Sequence, residues 1–191
     1  MRLLIHYVGD IHQPLHATAR VNHDYPSGDR GGNSFPVAPR DGAKNLHAVW
    51  DSVAYEFSGY ENLPFSDSDW SLNGRYAAML VQKHPLSQLK DTTNLDPNVW
   101  AKESFDISAS FVYAGITEQD PLPDAYVAQA KEIAEKQIVT AGYRLANLMM
   151  SFGHNGSSSP YTLLMALKQA VPVVVYEQPR PVMTIPVIFM P

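Results

Sequence analysis

The sequence predicts an all-α domain with long loops. Apolar residues recur at three- and four-residue steps in several segments, which is the period of an amphipathic helix. The sequence shows no alternation of strands and helices and no internal repeat, which argues against an α/β or solenoid class. At 191 residues, of which 45% are hydrophobic, the chain is long enough to bury the core of one domain.

The helix ends are marked by proline and capping residues. Residues 1–13 are predicted to be helical, and Pro14 kinks or breaks this helix because proline has no amide proton and clashes with the preceding turn. Asp96 and Pro97 begin another helix, as the N-cap and the first helical residue. Further helices are expected over residues 44–58, 69–84 and 123–151.

The remaining segments are predicted to be irregular. Residues 22–43 are rich in glycine and proline, so we expect a loop with a short hairpin around Gly31-Gly32-Asn33. The domain is expected to span residues 1–152, followed by an extended or disordered tail over 153–191. Prolines interrupt the apolar end of this tail, which falls short of the ~20 residues that a membrane span needs. No segment indicates an obligate protein partner.

Charge and cysteine content exclude two kinds of site. A net charge of −5 argues against a broad basic surface for nucleic acid, because such binding relies on Lys and Arg neutralising phosphates. The chain has no cysteine, so any zinc would be held by His, Asp and Glu. A phosphate-handling site would therefore depend on bound metal cations, which reverse the local field.

Five side chains are arranged as candidate metal ligands. His6 and Asp10 are four residues apart on the first predicted helix, which places them on one face. His16 follows beyond the proline and can turn back toward the same side. His47 and Asp51 repeat the four-residue spacing on the second predicted helix.

Imidazole and carboxylate ligands together suit zinc. Paired zinc ions activate water and hold the attacking and leaving oxygens of a phosphate. A single His-x3-Asp pair is usually a surface pair or a capped core histidine, but two pairs within fifty residues favour metal binding. Five ligands are enough for one complete site and part of a second.

The other histidines are assigned different roles. His12 lies six residues from His6, roughly on the opposite side of the helix, so we expect it to support a metal ligand or to form buried hydrogen bonds rather than to bind a metal itself. His23, His84 and His154 occur in loops or at helix ends, where we expect them to be solvated.

Three motifs resemble a known family. Residues 5–16, Ile-His-Tyr-Val-Gly-Asp-Ile-His-Gln-Pro-Leu-His, resemble the signature of the S1/P1 nucleases, zinc nucleases of fungi, plants and protozoa that cut single strands. Asp-Arg-Gly-Gly-Asn at 29–33 and Asn-Leu-His-Ala-Val-Trp-Asp at 45–51 are similar to the next motifs, in the same order. With weaker similarity at 100–104 and 141–146, the resemblance covers about residues 3–150.

The resemblance implies a phospholipase C/P1 nuclease-like helical fold and three zinc ions. His16, His47 and Asp51 would form one complete zinc site. His6 and Asp10 would contribute to a second ion, with Asp10 bridging to a third. The family's other ligands lie upstream of the first motif, and the chain opens as if inside a helix, without a signal peptide. We therefore expect the family's N-terminal part to be missing.

The resemblance also implies an activity, namely hydrolysis of single-stranded DNA or RNA and of 3′-nucleotides. Asp10 is the predicted catalytic residue, because it would position the metal cluster. Gly31, Gly32 and Asn33 resemble the part of the cleft that binds a nucleobase, although a tight turn that needs positive φ explains the glycines equally well. Family members are secreted, endolysosomal or held at the cell surface.

Two alternatives remain open at this point. The first is a truncated, inactive paralogue that keeps one zinc ion as a structural staple. The second is a zinc phospholipase C of related helical architecture. The motifs favour it less, because their residues resemble those of the nucleases.

Overall fold

The predicted helical segments form five α-helices in residues 2–57, 64–154 and 175–177, which are the residues that the computed structural model describes. The α-helices are α1 Arg2–His12, α2 Leu46–Asp51, α3 Asp67–Lys83, α4 Pro97–Ile107 and α5 Asp124–His154. Shorter helical turns are the 3-10 helices Pro14–Ala17 and Leu86–Gln88 and the π-helix Ser108–Val112. The strands are β1 Ala19–Val21, β2 Pro36–Arg40, β3 Ala43–Asn45 and β4 Val175–Glu177.

Most helix ends lie where the capping residues predict them. The Asp96 side chain accepts a hydrogen bond from the Asn98 amide at 2.9 Å, so α4 begins as expected. At the start of α3, Ser66 and Asp69 exchange side-chain and backbone hydrogen bonds in a capping box. The predicted ends of α1, α3 and α5 agree with the structure to within three residues.

Two local predictions are wrong. The helix expected over 44–58 covers only Leu46–Asp51, because Val53, Ala54 and Tyr55 adopt positive φ angles of 55°, 51° and 76°. Val53 and Ala54 are buried, so tertiary packing ends this helix where the sequence has no breaker. The hairpin expected around Gly31-Gly32-Asn33 is formed instead by β2 and β3, which pair in antiparallel fashion.

Strand β4 lies within the predicted tail. It pairs in parallel with β1, with Ala19 opposite Val175 and Val21 opposite Glu177. Residues 155–174 and 178–191, which hold the rest of that tail, lie outside the described residues. Among the described helices, none combines the length and apolarity that crossing a membrane requires.

Two hydrophobic clusters form the core. One cluster joins α1, α4 and α5 around the fully buried indole of Trp100. The other surrounds α2, whose Leu46 and Val49 are fully buried, and includes Phe35, Tyr113 and residues of α5. Helix α5 contributes to both clusters, so it fixes α1 and α2 relative to each other.

A buried arginine links the ends of the first cluster. Arg144 on α5 is fully buried and donates to His12 Nε2 at 2.9 Å and to Glu103 at 2.8 Å. It also donates to the Asp91 carbonyl at 2.9 Å. His12 Nδ1 in turn donates to the Val8 carbonyl at 2.7 Å, which leaves Nε2 as the acceptor. Burial, aided by the Arg144 charge, lowers the pKa of His12 to about 4, so the imidazole is neutral.

We predict that Arg144→Met destabilises the chain by about 3–5 kcal/mol, because it leaves the Glu103 carboxylate and the Asp91 carbonyl without their donor. Urea unfolding followed by circular dichroism measures this difference. The control is Lys102→Met, which removes the exposed pair with Asp106 and should cost less than about 1 kcal/mol. Equal losses for the two variants would contradict the structural role of Arg144.

Candidate metal centre

The turn that follows α1 carries the first part of the centre. Proline at position 14 stops the α-helix, and the 3-10 helix Pro14–Ala17 returns the chain so that His16 lies beside Asp10. Side chains from the next helices bond the carbonyls at this turn. Ser104 donates to the Ile11 carbonyl at 2.6 Å, and Ser108 donates to the Pro14 carbonyl at 2.9 Å.

Helix α2 carries the second part. The Asn45 side chain caps it by accepting from the Ala48 amide at 2.8 Å. The Leu46 amide donates to the Phe35 carbonyl at 2.9 Å, which ties the start of the helix to the loop before β2. This short, firmly held helix presents His47 and Asp51 on one face.

Three of the predicted ligands converge. Asp51 Oδ1 lies 3.3 Å from His16 Nε2, and Asp51 Oδ2 lies 3.4 Å from His47 Nε2. The two imidazole rings are stacked, with centroids 4.9 Å apart and an angle of 9° between their planes. One ligand atom from each residue lies within 4.8 Å of the others, a spacing that permits the group to hold a metal ion.

The hydrogen bonds of the two histidines fit a cation. His47 Nδ1 donates to the Gly31 carbonyl at 2.7 Å, so its proton lies on that nitrogen and the Nε2 lone pair faces Asp51. Histidines that bind metals are oriented in this way by a bond from the other ring nitrogen. His16 Nε2 is buried and has no hydrogen-bond partner among the described residues, although Asp51 is near. A cation would satisfy both nitrogens.

The electrostatics of the centre favour a negatively charged Asp51. Burial opposes ionisation of this carboxyl, but the nearby His16 imidazole, the hydrogen bond from Gln13 and the nearby His47 imidazole lower its pKa. Burial likewise opposes protonation of His16, yet Asp51 and Asp10 together raise the pKa of this imidazole. The two carboxylates therefore attract positive charge to this position.

The other two predicted ligands lie beside this group. Asp10 Oδ2 is 3.1 Å from His6 Nε2, and Asp10 Oδ1 is 3.6 Å from His16 Nδ1. His6 is 64% exposed. Within the described part of the chain, no third histidine or carboxylate joins His6 and Asp10 in a compact group. The structure thus brings together His16, His47 and Asp51, and leaves His6 at the edge.

Two cavities meet at Asp10 and His16. One, of about 340 Å³, lies toward α5 and has a largely apolar lining that includes Ile138 and Leu145. The other, of about 570 Å³, has a lining that includes Asp10, His16 and His47 together with Tyr7, Arg30 and Gly31. The candidate centre is therefore accessible from outside through open space.

The glycine pair forms a tight turn under the centre. Gly31 and Gly32 have φ angles of 62° and 77°. A Cβ atom at Gly31 would lie 2.3 Å from the Leu15 carbonyl oxygen, so no other residue fits there. Asn33 is exposed, and its amide donates to the Arg30 carbonyl at 2.9 Å. Of the three predicted nucleobase contacts, only Gly31 lines the larger cavity.

Sequence reasoning missed two residues that support the ligands. The Gln13 amide donates to Asp51 Oδ1 at 2.9 Å, and its carbonyl accepts from the Leu15 amide at 2.5 Å. Asp29 is fully buried, where it accepts from the Tyr113 hydroxyl at 2.8 Å and from the Arg20 amide at 2.9 Å. Both residues belong to motifs already noted, but their contacts are long-range and no spacing rule reveals them.

The structure tests the remaining histidine predictions. His12 is buried and hydrogen-bonded, as expected, and His23 is exposed. The prediction for His84 is wrong, since its side chain is only 1% exposed and bonds to Glu135 on α5. The side chain of His154 lies outside the described residues.

Comparison with known proteins identifies the family of this chain. The S1/P1 Nuclease family model matches residues 1–152. Endonuclease 3 of Arabidopsis thaliana is 32% identical over 155 residues, which cover 78% of this chain and 49% of the relative. Endonuclease 4 of the same plant is 32% identical, with coverages of 76% and 48%. Nuclease S1 of Aspergillus oryzae is 27% identical, with coverages of 76% and 51%.

The chain spans about half the length of these curated relatives. The matched residues include every ligand of the candidate centre and the helices that hold it. On the family match and its extent, this chain belongs to the S1/P1 nuclease family.

Proposed function

We propose that the chain carries the metal-binding part of a nuclease that hydrolyses phosphodiester bonds in single-stranded DNA or RNA and removes phosphate from 3′-nucleotides. The convergence of His16, His47 and Asp51 on one point supports this proposal most directly. The matched relatives are named as endonucleases or as a nuclease, and these names support the reaction class.

Each residue has a role that follows from its contacts. His16 and His47 offer Nε2 lone pairs, and Asp51 offers two oxygens, one facing each imidazole. This nitrogen and oxygen set suits Zn²⁺, which would supply Lewis acidity for attack on a phosphate ester at neutral pH. Asp10 faces both His6 and His16, so we assign it the role of positioning these two imidazoles.

The larger cavity accounts for a preference for single strands. It has room for an unpaired base beside the centre, and Tyr7 and Arg30, whose side chains can stack on a base, are among the residues that line it. Unpaired bases can leave the strand to stack on such groups, whereas paired bases cannot. Gly31 is among the residues that line this cavity, and we propose that its backbone contacts the nucleobase there. By family resemblance we also propose a secreted, endolysosomal or cell-surface location.

A second candidate function is that of a protein that binds one structural zinc ion and has no enzymatic turnover. His6 is exposed, and within the described residues His6 and Asp10 belong to no compact group of three potential ligands. This incomplete second site favours the protein without turnover. In that case, His16, His47 and Asp51 would only tie the turn after α1 to α2.

The chain should cleave single-stranded DNA faster than the matching duplex and should release phosphate from 3′-AMP, and chelation should stop both reactions. His47→Ala should lose hydrolysis together with the zinc ion held at this centre, because it removes one of the three ligands. The control, His23→Ala, changes an exposed histidine and should retain both. Zinc bound without hydrolysis would support the protein without turnover, and turnover of phosphatidylcholine in place of nucleic acid would indicate a phospholipase.

We predict that Gly31→Ala weakens zinc binding at least about tenfold, because the new Cβ forces the Gly31 carbonyl away from His47 Nδ1. Isothermal titration with zinc measures the change. The matched control is Gly74→Ala on α3, where a Cβ meets no atom within 4 Å and the helix gains up to about 1 kcal/mol. Unchanged zinc affinity in Gly31→Ala would show that this carbonyl does not orient His47.

We also predict that Gln13→Ala lowers zinc affinity by about 10–100-fold, since Asp51 loses the donor that orients its carboxylate. Gln82→Ala, at an exposed position of α3, should leave the affinity unchanged. The measurement is competition with a chelating dye. If the two alanine variants bind zinc equally, Gln13 has no positioning role.

A further inference from the structure

A second group of potential ligands lies between α3 and α5 and shares no residue with the first centre. It consists of His84, at the C-terminal end of α3, and Glu132 and Glu135 on α5. One ligand atom from each residue lies within 4.8 Å of the others. This group takes no part in the function proposed above.

A hydrogen bond from one ring nitrogen orients His84, as is common for histidines that bind metals. It is 1% exposed, and its Nε2 donates to Glu135 Oε2 at 2.8 Å. This bond to an anionic carboxylate keeps the proton on Nε2, which leaves a lone pair on Nδ1. Burial opposes ionisation of Glu135, but hydrogen bonds from Lys83 and His84 keep its pKa low, so the carboxylate is charged.

The free nitrogen faces a second carboxylate. His84 Nδ1 is buried, has no hydrogen-bond partner among the residues that the structure describes, and lies 3.6 Å from Glu132 Oε1. A lone pair that faces an anion is repelled unless positive charge lies between them. Two ligands of a tetrahedral zinc ion, each at ~2.0–2.1 Å from the metal, are about 3.4 Å apart, which is close to the observed separation.

Two lysine ammonium groups contact the carboxylates of this group. Lys83 contacts both Glu132 and Glu135, and Lys136 lies 3.2 Å from Glu132. Both lysine side chains are partly exposed, so each can swing into solvent. Glu132 is 43% exposed, and it provides the way in for an ion.

We propose that His84 Nδ1 and Glu132 bind a second zinc ion, that Glu135 orients the imidazole through its bond to Nε2, and that this ion competes with the Lys83 ammonium for Glu132 and ties α3 to α5. The bound ion completes the bonding of His84 and joins the two helices through ligands on both. It contributes stability to the domain and stands apart from the residues of the proposed hydrolytic reaction.

The test uses the full chain with His16→Ala and His47→Ala, so that zinc bound at the first centre does not obscure the count. This double variant should bind one zinc ion per chain in equilibrium dialysis, and zinc should raise its Tm. Adding Glu132→Gln, at a partly exposed position, should abolish both effects. Adding Glu56→Gln, which breaks a comparable pair with Lys131, should leave both intact.

Lys83→Met provides the discriminating measurement. If the ammonium occupies the zinc position, this change should tighten zinc binding about tenfold, because it removes a competing positive charge. In a group held only by ion pairs, Lys83→Met would lower Tm without any gain in zinc affinity, and this result would overturn the proposal. Absence of zinc from the double variant, or binding that survives Glu132→Gln, would overturn it as well.

Discussion

The end of the first helix is the constraint on which the candidate centre depends. Pro14 prevents the helix from continuing, so carbonyl groups at its end need other donors. Helices α4 and α5 provide them, since Ser104 donates to the Ile11 carbonyl and Gln137 donates to the His12 carbonyl. These buried bonds hold the following turn in one orientation, and that orientation carries His16 to the position where it meets Asp51.

The second half of the centre depends on a turn that only glycine can form. The Gly31 carbonyl accepts from His47 Nδ1, and the Gly32 carbonyl accepts from the His47 amide at 3.3 Å, so one turn fixes both backbone and side chain. Buried Asp29 anchors that turn through Arg20 and Tyr113. The ligands are thus oriented before any ion binds, which lowers the cost of binding.

Helix α5 contacts elements of both proposed metal sites. Arg144, near its C-terminal end, fixes the helix that carries His6 and Asp10 through the neutral His12. Glu132 and Glu135, closer to its N-terminal end, meet His84 on α3. The same long helix therefore supports the proposed hydrolytic centre on one side and the proposed zinc site on the other.

The sequence by itself determined the helical class, most helix ends, the family and the five candidate ligands, because helical period, proline and capping residues act over a few neighbouring positions. Only the tertiary structure decided that α2 stops at Asp51, that Gln13 supports Asp51, and that His84 is buried against Glu135. These features join residues up to 51 positions apart. Burial and hydrogen bonding between distant segments exist only after the helices have packed, so no local pattern records them.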